Sequence, residues 1–513
     1  MKNYSCVYSA QPDIEGVNLI KIETDISNGL HAFNVIGLTD KAVDEARDRV
    51  GAAIKNSGLT SPKTQNQKVT ISLAPADIKK EGPVFDLAIA LSYLLASNQI
   101  DFDPSESLFL GELSLAGEVQ KIRGVLPIAI KTKSLGMKTL YVPLANADEA
   151  ALVEGIEVYG VSTLSEIISH IDTSKNNSSG PLISPTVPKE LSKTNLHTVD
   201  FSEVKGQESA KRAILIAAAG GHNIALYGPP GTGKTMLARA MQGILPSLSN
   251  EHAFEVGSIH SIAGTLRGKI TSTPPFRSPH HTSSHVAIVG GGAVPRPGEI
   301  TLAHRGVLFM DEFPEFDKRV LESLREPLEE GYISVSRAKG RATFPADFIL
   351  VAALNPCPCG NNGNPHKRCI CSAHDIERYT RKLSGPIMDR IDMWVEVQHI
   401  PYEELHTVTK KVSESTKYRD QISRARTVQK SRLEGSAAKK YLNSRLSSKD
   451  IDELIHLEPA IKLTLQNAAS SLALSPRSYY KIIKLARTIA DLDQRVDIEM
   501  GHILEALQYR PKI

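Results

Sequence analysis

The stretch NIALYGPPGTGKT, residues 223–235, decides the fold of the central part of the chain. Its apolar first half predicts a short buried strand. Its second half matches the phosphate-binding pattern G-x-x-x-x-G-K-[ST], the Walker A motif, at Gly228, Pro229, Pro230, Gly231, Thr232, Gly233, Lys234 and Thr235. In such a loop the glycines let backbone N–H groups turn toward phosphates, the lysine supplies positive charge, and the threonine hydroxyl ligates Mg²⁺. The stretch therefore predicts a strand, a loop and a helix that bind ATP with Mg²⁺.

Two further apolar runs end in polar side chains and predict buried strands. GVLFMDE, residues 306–312, ends in Asp311 and Glu312, and FILVAALN, residues 348–355, ends in Asn355. We expect Asp311 to hold Mg²⁺, and Glu312 to orient or deprotonate the attacking water. The amide of Asn355 suits a sensor that positions this water beside the γ-phosphate. Together these side chains predict hydrolysis of ATP.

The long interval between Lys234 and Asp311 is interpreted as an inserted loop. It contains FRSPHH, residues 276–281, and a run of three glycines, residues 290–292. His281 and His285 have a spacing that suits a metal on a helix, but proline and glycine nearby favour a loop, and no third ligand is evident. We therefore predict no metal there.

A basic hairpin is predicted between the two apolar runs. Ile333 and Val335 alternate with serines, and RAKGR, residues 337–341, precedes a returning segment. The tip would carry three cations, Arg337, Lys339 and Arg341, which are suited to grip a DNA phosphate backbone. An ordinary basic turn is the alternative.

Four of the five cysteines crowd into fifteen residues and indicate a metal site. They form two C-x-C pairs, Cys357 with Cys359 and Cys369 with Cys371. Four thiolates suit tetrahedral Zn²⁺, and a closed site of this kind is structural. His366 and His374 are alternate ligands. Because we expect a cytoplasmic protein, disulfides are disfavoured.

The composition is that of an ordinary globular protein, with 41% hydrophobic and 23% charged residues, which excludes a wholly disordered chain. The first residues lack an apolar signal segment, and no apolar run is long enough to span a bilayer, so we expect no membrane contact. Changes in composition predict an N-terminal domain, a linker rich in Ser, Asn and Pro, an ATPase core and a helical lid domain, at residues 1–172, 173–199, 200–400 and 401–513.

The net charge of +3 is unevenly distributed. Residues 401–449 carry twelve Lys or Arg against five Asp or Glu. This basic segment is a candidate surface for a phosphate backbone, and a solvated helical face explains it equally well.

Several segments together resemble a known family. These are FRSPHHTSSHVAIVGGGAVPRPGEITLAHRGVLFMDEFPEF (residues 276–316), ISVSRAKGRATFPADFILVAALNPCPCG (residues 333–360), SGPIMDRID (residues 384–392), and LAPADIKKEG and GELSLAGEVQKIRGVLPIAI near the N-terminus. They are similar to the magnesium-chelatase-like AAA+ ATPases of the competence protein ComM (YifB) family, and the similarity extends over essentially the whole chain. It implies an α/β P-loop core with a parallel sheet and a helical C-terminal lid. It also implies a hexameric helicase that acts on single-stranded, double-stranded or branched DNA and drives branch migration during natural transformation.

The same resemblance gives roles to two arginines. Arg390 stands where AAA+ proteins carry the finger that enters a neighbouring subunit's site, and Arg477, at the start of a predicted helix, is the second sensor. A surface ion pair is the alternative for each arginine. A finger acting on a neighbour requires a ring or filament with sites at subunit interfaces.

Residues 1–172 resemble the Lon-protease-like (S5-type) α/β domain, also found in bacterial RadA. Lon-type proteases need a serine and a lysine, and here these positions fall at Val84 and about Leu126. Neither side chain can act as nucleophile or base, so the prediction is a domain without a catalytic dyad.

Two functions other than a DNA motor stay open. One is a magnesium-chelatase-type ATPase that remodels a protein partner, and the other is an ATP-dependent protease. Val84 and Leu126 argue against the protease. The ATPase core by itself does not decide between DNA and a protein as the partner.

Overall fold

The computed structural model describes residues 3–13, 16–175, 183–188, 199–266, 270–292, 296–337, 340–363, 367–400, 413–434 and 442–511. Much of the predicted linker, Lys339, His366 and parts of the basic segment lie outside the described residues. The chain divides into two compact units. The first comprises Met1–Lys193 with Ala253–Thr271, and the second comprises Thr194–His252 with Ser272–Ile513.

The first unit is a mixed α/β unit. Its main strands are β1 (Tyr4–Asp13), β2 (Gly16–Asn28), β3 (Ala32–Ile36), β4 (Gln67–Ala74) and β5 (Ser107–Phe109), a short pair β6 (Glu112–Leu113) and β7 (Val119–Gln120), then β8 (Thr139–Pro143) and β9 (Glu157–Val161). Seven of them form one sheet in the order β3-β4-β2-β1-β5-β8-β9. The helices are α1 (Lys41–Asn56), α2 (Asp86–Ala96), α3 (Val125–Ser134), α4 (Leu144–Ala150) and α5 (Leu164–Ile171).

Helix α2 is apolar apart from Asp86, Ser92 and Tyr93, and nearly all of it is buried. The Asp86 carboxylate accepts hydrogen bonds from Arg49 Nε at 2.8 Å and Arg49 Nη2 at 3.1 Å. Burial raises the pKa of Asp86 to about 6, although Arg49 opposes the shift. Val84 and Leu126, the positions of the absent dyad, are buried with 8% and 0% exposure. Both therefore pack in the core of this unit.

The second unit contains a five-stranded parallel sheet. Its first elements are α6 (Glu208–Gly220), β10 (Ile224–Tyr227) and α7 (Lys234–Ile244), followed by α8 (Asn250–Ala263), most of which belongs to the first unit. The interval before Asp311 then forms β11 (Phe276–Arg277), α9 (His285–Val289), β12 (Gly290–Gly291), β13 (Arg296–Pro297), α10 (Glu299–Leu302) and β14 (Val307–Met310). The following elements are α11 (Lys318–Ser323), α12 (Arg325–Glu330), β15 (Tyr332–Arg337), β16 (Gly340–Pro345), β17 (Ile349–Leu354), α13 (Ala373–Thr380), α14 (Gly385–Met388) and β18 (Met393–Glu396).

The order in this sheet is β11-β14-β17-β10-β18, and every neighbouring pair is parallel. All residues of β14 and β17 are buried, as expected for a parallel sheet covered on both faces. The carboxyl ends of parallel strands lie at the same edge of a sheet. The structure therefore confirms the predicted buried strands before Asp311 and Asn355.

The described part of the C-terminal region is helical, as predicted. Its helices are α15 (Glu414–Leu433), α16 (Ser448–Leu454), α17 (Pro459–Ser471), α18 (Pro476–Leu492) and α19 (Met500–Gln508), with a short 3₁₀ helix at Asn443–Arg445. These helices share one hydrophobic core with α6, α7 and the central sheet. We call them the lid helices.

Several cations of the basic segment are used inside the protein. Arg426 Nη2 on α15 donates to Ala218 O at 2.7 Å, and Arg419 Nη2 donates to Gly243 O. These carbonyls belong to the last turns of α6 and α7, where cations stabilise a helix. Burial lowers the pKa of Arg426 to about 10. These two arginines therefore hold the lid to the core, which neither interpretation of the basic segment anticipated.

Candidate active site

The Walker A residues follow β10 and run into the first turn of α7, so the predicted order of strand, loop and helix is confirmed. Gly233 has φ +90°, a conformation that favours glycine. A Cβ on Gly228 would come within 2.2 Å of Val397 O, so only glycine fits there. The loop backbone is thus shaped by its glycines.

Lys234 begins α7 and is only 8% exposed. Its Nζ donates to Gly228 O at 2.7 Å, to Pro229 O at 2.8 Å and to Asn355 Oδ1 at 3.2 Å. Burial lowers its pKa to about 8, and the charge of Asp311 opposes this shift. The ammonium group therefore joins the Walker A loop to the end of β17.

The two carboxylates after β14 face different partners. Asp311 Oδ2 accepts a hydrogen bond from Thr235 Oγ1 at 3.1 Å, which brings the two predicted Mg²⁺ ligands together. Glu312 adopts φ +52°, an unusual backbone conformation for a residue with a side chain. Its Oε2 lies 3.0 Å from His281 Nδ1. The sequence suggests His281 only as a candidate metal ligand, and the contact with Glu312 could not be predicted because the two residues come from separate segments.

Asn355 also connects to the cysteine loop and α13. Tyr379 on α13 is buried, and this burial raises its pKa to about 12, although the Asn355 backbone opposes the shift. In the cysteine loop, a Cβ on Gly360 would come within 2.7 Å of Pro230 Cδ. The cysteine loop therefore packs directly against the Walker A loop.

The four cysteine sulfurs converge, and all lie within 4.8 Å of one another. The Cys357 sulfur is 3.4 Å from that of Cys359 and 3.7 Å from that of Cys369. Tetrahedral Zn²⁺ with Zn–S bonds of about 2.3 Å requires sulfur separations of about 3.8 Å, so the four side chains fit the ion. Backbone N–H groups of Ile370 and Asn361 lower the pKa of Cys359 to about 6, whereas burial and the neighbouring sulfurs raise the pKa of Cys369 and Cys371, so Cys359 ionises more readily than these two thiols. In the part of the chain that the structure describes, this is the group of side chains arranged to hold a metal.

The two predicted functional arginines share one carboxylate of their own chain. Glu329 Oε1 lies 2.8 Å from Arg390 Nη2 and 2.5 Å from Arg477 Nη1. The Arg390 side chain is 9% exposed and its Nη1 also donates to Pro386 O, whereas Arg477 is 42% exposed. Glu329 was not predicted as a site residue, since nothing in its local sequence pattern distinguishes it from other helix-surface glutamates.

The predicted hairpin is confirmed. Strands β15 and β16 pair antiparallel from Tyr332 opposite Pro345 to Arg337 opposite Gly340. Ile333 and Val335 are buried on its inner face. Lys339 and the side chains of Arg337 and Arg341 lie outside what the structure describes, so their DNA contacts stay a prediction.

Comparison with protein families shows the class to which this chain belongs. Residues 200–405 match the model of magnesium chelatase subunit ChlI, residues 22–146 match that of subunit ChlI of Mg-chelatase, and residues 412–510 match the C-terminal model of the same subunit. The chain is therefore an AAA+ ATPase of the magnesium-chelatase type, a class that uses ATP and Mg²⁺.

Full-length relatives define the family more closely. The chain is 40% identical to the competence protein ComM of Haemophilus influenzae over 96% of this chain and 95% of that protein. It is 41% identical to the uncharacterized protein YifB of Escherichia coli over the same shares. The chain belongs to the competence protein ComM (YifB) family of magnesium-chelatase-like AAA+ ATPases.

A more distant similarity covers only part of the chain. A maternal DNA replication licensing factor of Xenopus tropicalis is 25% identical over 39% of this chain and 22% of that protein. Among the described residues, no helix is long and apolar enough to cross a membrane.

Proposed function

We propose that this protein is an ATP-driven hexameric motor that moves branched DNA and promotes branch migration of recombination intermediates during natural transformation. The observation that carries the proposal is the position of the hairpin. Strands β15 and β16 lie in sequence between β14 and β17, the two strands that end at Asp311 and Asn355. A DNA-gripping element in this position is joined to the hydrolytic site at both ends.

The proposed ATPase chemistry follows from the contacts around Lys234. Residues Gly228 to Thr235 hold the phosphates, and Lys234 exchanges its carbonyl partners for phosphate oxygens when ATP binds. Thr235 and Asp311, already 3.1 Å apart, ligate Mg²⁺. Glu312 orients or deprotonates water, and Asn355 fixes the position of that water. Mg²⁺ supplies charge neutralisation on the phosphates.

Arg390 and Arg477 are proposed to act on transition-state charge. In the described chain both pair with the single carboxylate of Glu329, so Arg390 must leave this carboxylate to enter the site of a neighbouring subunit. A finger supplied across an interface requires a ring of subunits, and we propose a homohexamer.

We propose that Cys357, Cys359, Cys369 and Cys371 bind one structural Zn²⁺. The ion would fix the loop that follows Asn355 and contacts Pro230. A Zn²⁺ ion in a closed four-cysteine site has no coordination position left for a substrate. Its proposed role is therefore to stabilise the loop that lies against the ATP site.

DNA is favoured over a protein as the partner on two grounds. The hairpin segment carries Arg337, Lys339 and Arg341, residue types that bind phosphate. The names of two relatives, a competence protein and a DNA replication licensing factor, point to DNA metabolism. We further propose that the first unit keeps the Lon-protease-like fold as a scaffold without proteolytic activity.

The test is ATP turnover by the full chain with no DNA, with linear duplex, and with a four-way junction of equal nucleotide content. We expect the junction to stimulate turnover most, because a branched joint is the proposed substrate. Equal turnover in all three conditions would contradict the proposal and favour a protein partner.

A further inference from the structure

The base of the hairpin is closed by the residues on either side of it. Helix α12 ends at Glu330, and Gly331 leads into β15, while Ala346 and Asp347 follow β16. The Ala346 N–H donates to Gly331 O at 2.8 Å. We call Leu328 and Glu329 the incoming root of the hairpin and Asp347 its outgoing root.

One lid arginine contacts both roots. Arg445 Nη1 donates to Leu328 O at 3.0 Å, and Arg445 Nη2 forms an ion pair with Asp347 Oδ1. The Arg445 side chain is 11% exposed. Arg445, together with Arg305 and His304, holds the pKa of Asp347 below its ordinary value even though burial acts to raise it. A planar guanidinium with two bonds in fixed directions restrains both roots against each other and against the lid.

A second contact reinforces the first. Arg477 on α18 pairs with Glu329 at the incoming root. Both cations come from the lid helices or the turn between them, and both reach the hairpin base, not the hairpin tip. The lid therefore holds the hairpin at its base.

The lid is tied in turn to the helix that begins at the Walker A motif. Arg419 on α15 donates to Gly243 O at the end of α7. Further along α15, Gln429 Oε1 accepts the Asn443 N–H at 3.0 Å, and Arg432 Nη1 donates to Asn443 Oδ1 at 3.3 Å. Asn443 begins the 3₁₀ helix that ends at Arg445. A continuous series of hydrogen bonds thus runs from α7 through α15 to Arg445 and the hairpin roots.

We propose that Arg445 is a positioning residue that transmits the nucleotide state of the Walker A site to the DNA-gripping hairpin. This inference rests on the proposed function for the role of the hairpin, but the transmission itself does not require DNA. When the nucleotide changes the position of α7, α15 moves with it. The 3₁₀ helix Asn443–Arg445, which is bonded to α15, moves in turn, and Arg445 shifts both hairpin roots.

The experiment measures hydrogen exchange of the peptide covering residues 332–346 in the full chain without DNA. Exchange is compared between a non-hydrolysable ATP analogue and ADP, each with Mg²⁺. We expect the wild type to show different exchange with the two nucleotides. Arg445→Lys should lose this difference, because an ammonium group lacks the two-directional geometry needed to span both roots. Basal ATP turnover should stay within about twofold of wild type, since Arg445 lies outside the ATP site.

Arg305→Lys is the matched control. Arg305 also contacts Asp347, at 3.4 Å, but lies beside the central sheet and not in the lid, so its variant should keep the nucleotide-dependent difference. Asp347→Asn removes the charge at the outgoing root and should also lose the nucleotide-dependent difference in exchange. This second variant keeps the inference testable if Arg445→Lys fails to fold. The inference is overturned if wild type shows no difference at residues 332–346, or if Arg445→Lys or Asp347→Asn retains it. If the variants behave as expected but DNA does not stimulate ATP turnover, the proposed function is contradicted, whereas the coupling between the ATP site and the hairpin is supported.

Discussion

In the second unit, the polar side chains that follow two strands of the sheet bond to the start of α7, Asp311 to Thr235 and Asn355 to Lys234. In the first unit, the two positions that a Lon-type dyad would occupy are filled by Val84 and Leu126, which are buried. Both units are α/β, so the general fold does not distinguish them. The difference teaches that the chemistry expected of each unit depends on the side chains at a few positions and not on its fold class. Substitutions among the polar side chains of the ATP site should therefore change turnover, whereas those at Val84 and Leu126 should act through stability.

The largest effects on ATP turnover and ATP binding are expected from substitutions of Glu312 and Lys234. Glu312→Gln should reduce ATP turnover by about 10² to 10⁴, because the amide cannot accept a proton from water. ATP binding should persist, since Glu312 does not contact phosphate. Lys234→Ala should instead abolish tight ATP binding. Single-turnover hydrolysis and equilibrium binding of ATP separate the two variants.

Glu315→Gln is the control for Glu312. Its carboxylate lies three residues further on and pairs with Lys382, outside the Walker A contacts. It should turn over ATP at the wild-type rate. Normal turnover by Glu312→Gln would remove the proposed role of that residue.

A smaller effect is expected from pH. The pKa of Lys234 is about 8, below that of an exposed lysine, because burial disfavours its charge. Bound phosphates favour the charged form, so ATP binding takes up a proton above this pKa and weakens as pH rises. From pH 7 to pH 9 the Kd for ATP should increase about tenfold.

Lys234→Arg keeps its charge throughout this range. Its ATP affinity, whatever its absolute value, should change little between pH 7 and pH 9 in the same calorimetric titration. A wild-type Kd that is equally flat would show that Lys234 is fully charged at pH 9.

The smallest effect is expected at the cysteine loop. The wild type should contain about one equivalent of Zn²⁺ per chain by elemental analysis, and Cys357→Ser with Cys369→Ser should lose it. Because Gly360 packs on Pro230, loss of the metal should weaken ATP binding by about 1 kcal/mol, or roughly fivefold in Kd. Cys6→Ser, at the lone cysteine of the first unit, should change neither quantity. Unchanged metal content in the double variant would exclude the four-cysteine site.

The sequence predicted those strands and turns that are determined by the residues within them. The apolar run before Gly228 predicted β10, and the alternation around Ile333 and Val335 predicted the hairpin. The contacts of Glu329 and Arg445 could not be predicted, because each joins residues that lie far apart in sequence. The basic segment was ambiguous for another reason: composition does not reveal that Arg419 and Arg426 reach helix ends and not solvent.

The central claim is that a DNA-gripping hairpin makes this ATPase a DNA motor. The most direct measurement follows DNA binding and junction movement by the wild type and by a variant with Arg337, Lys339 and Arg341 all changed to Ala. We expect the variant to hydrolyse ATP at the basal rate without stimulation by junctions and without moving them. The slope of log affinity against log salt should become shallower by about 2 to 3 units, one for each lost phosphate contact. A control with Arg378, Arg381 and Lys382 changed to Ala, three cations of α13 and the residues after it, should behave as wild type. A hairpin variant that keeps the wild-type salt dependence and moves four-way junctions at the wild-type rate would contradict the claim.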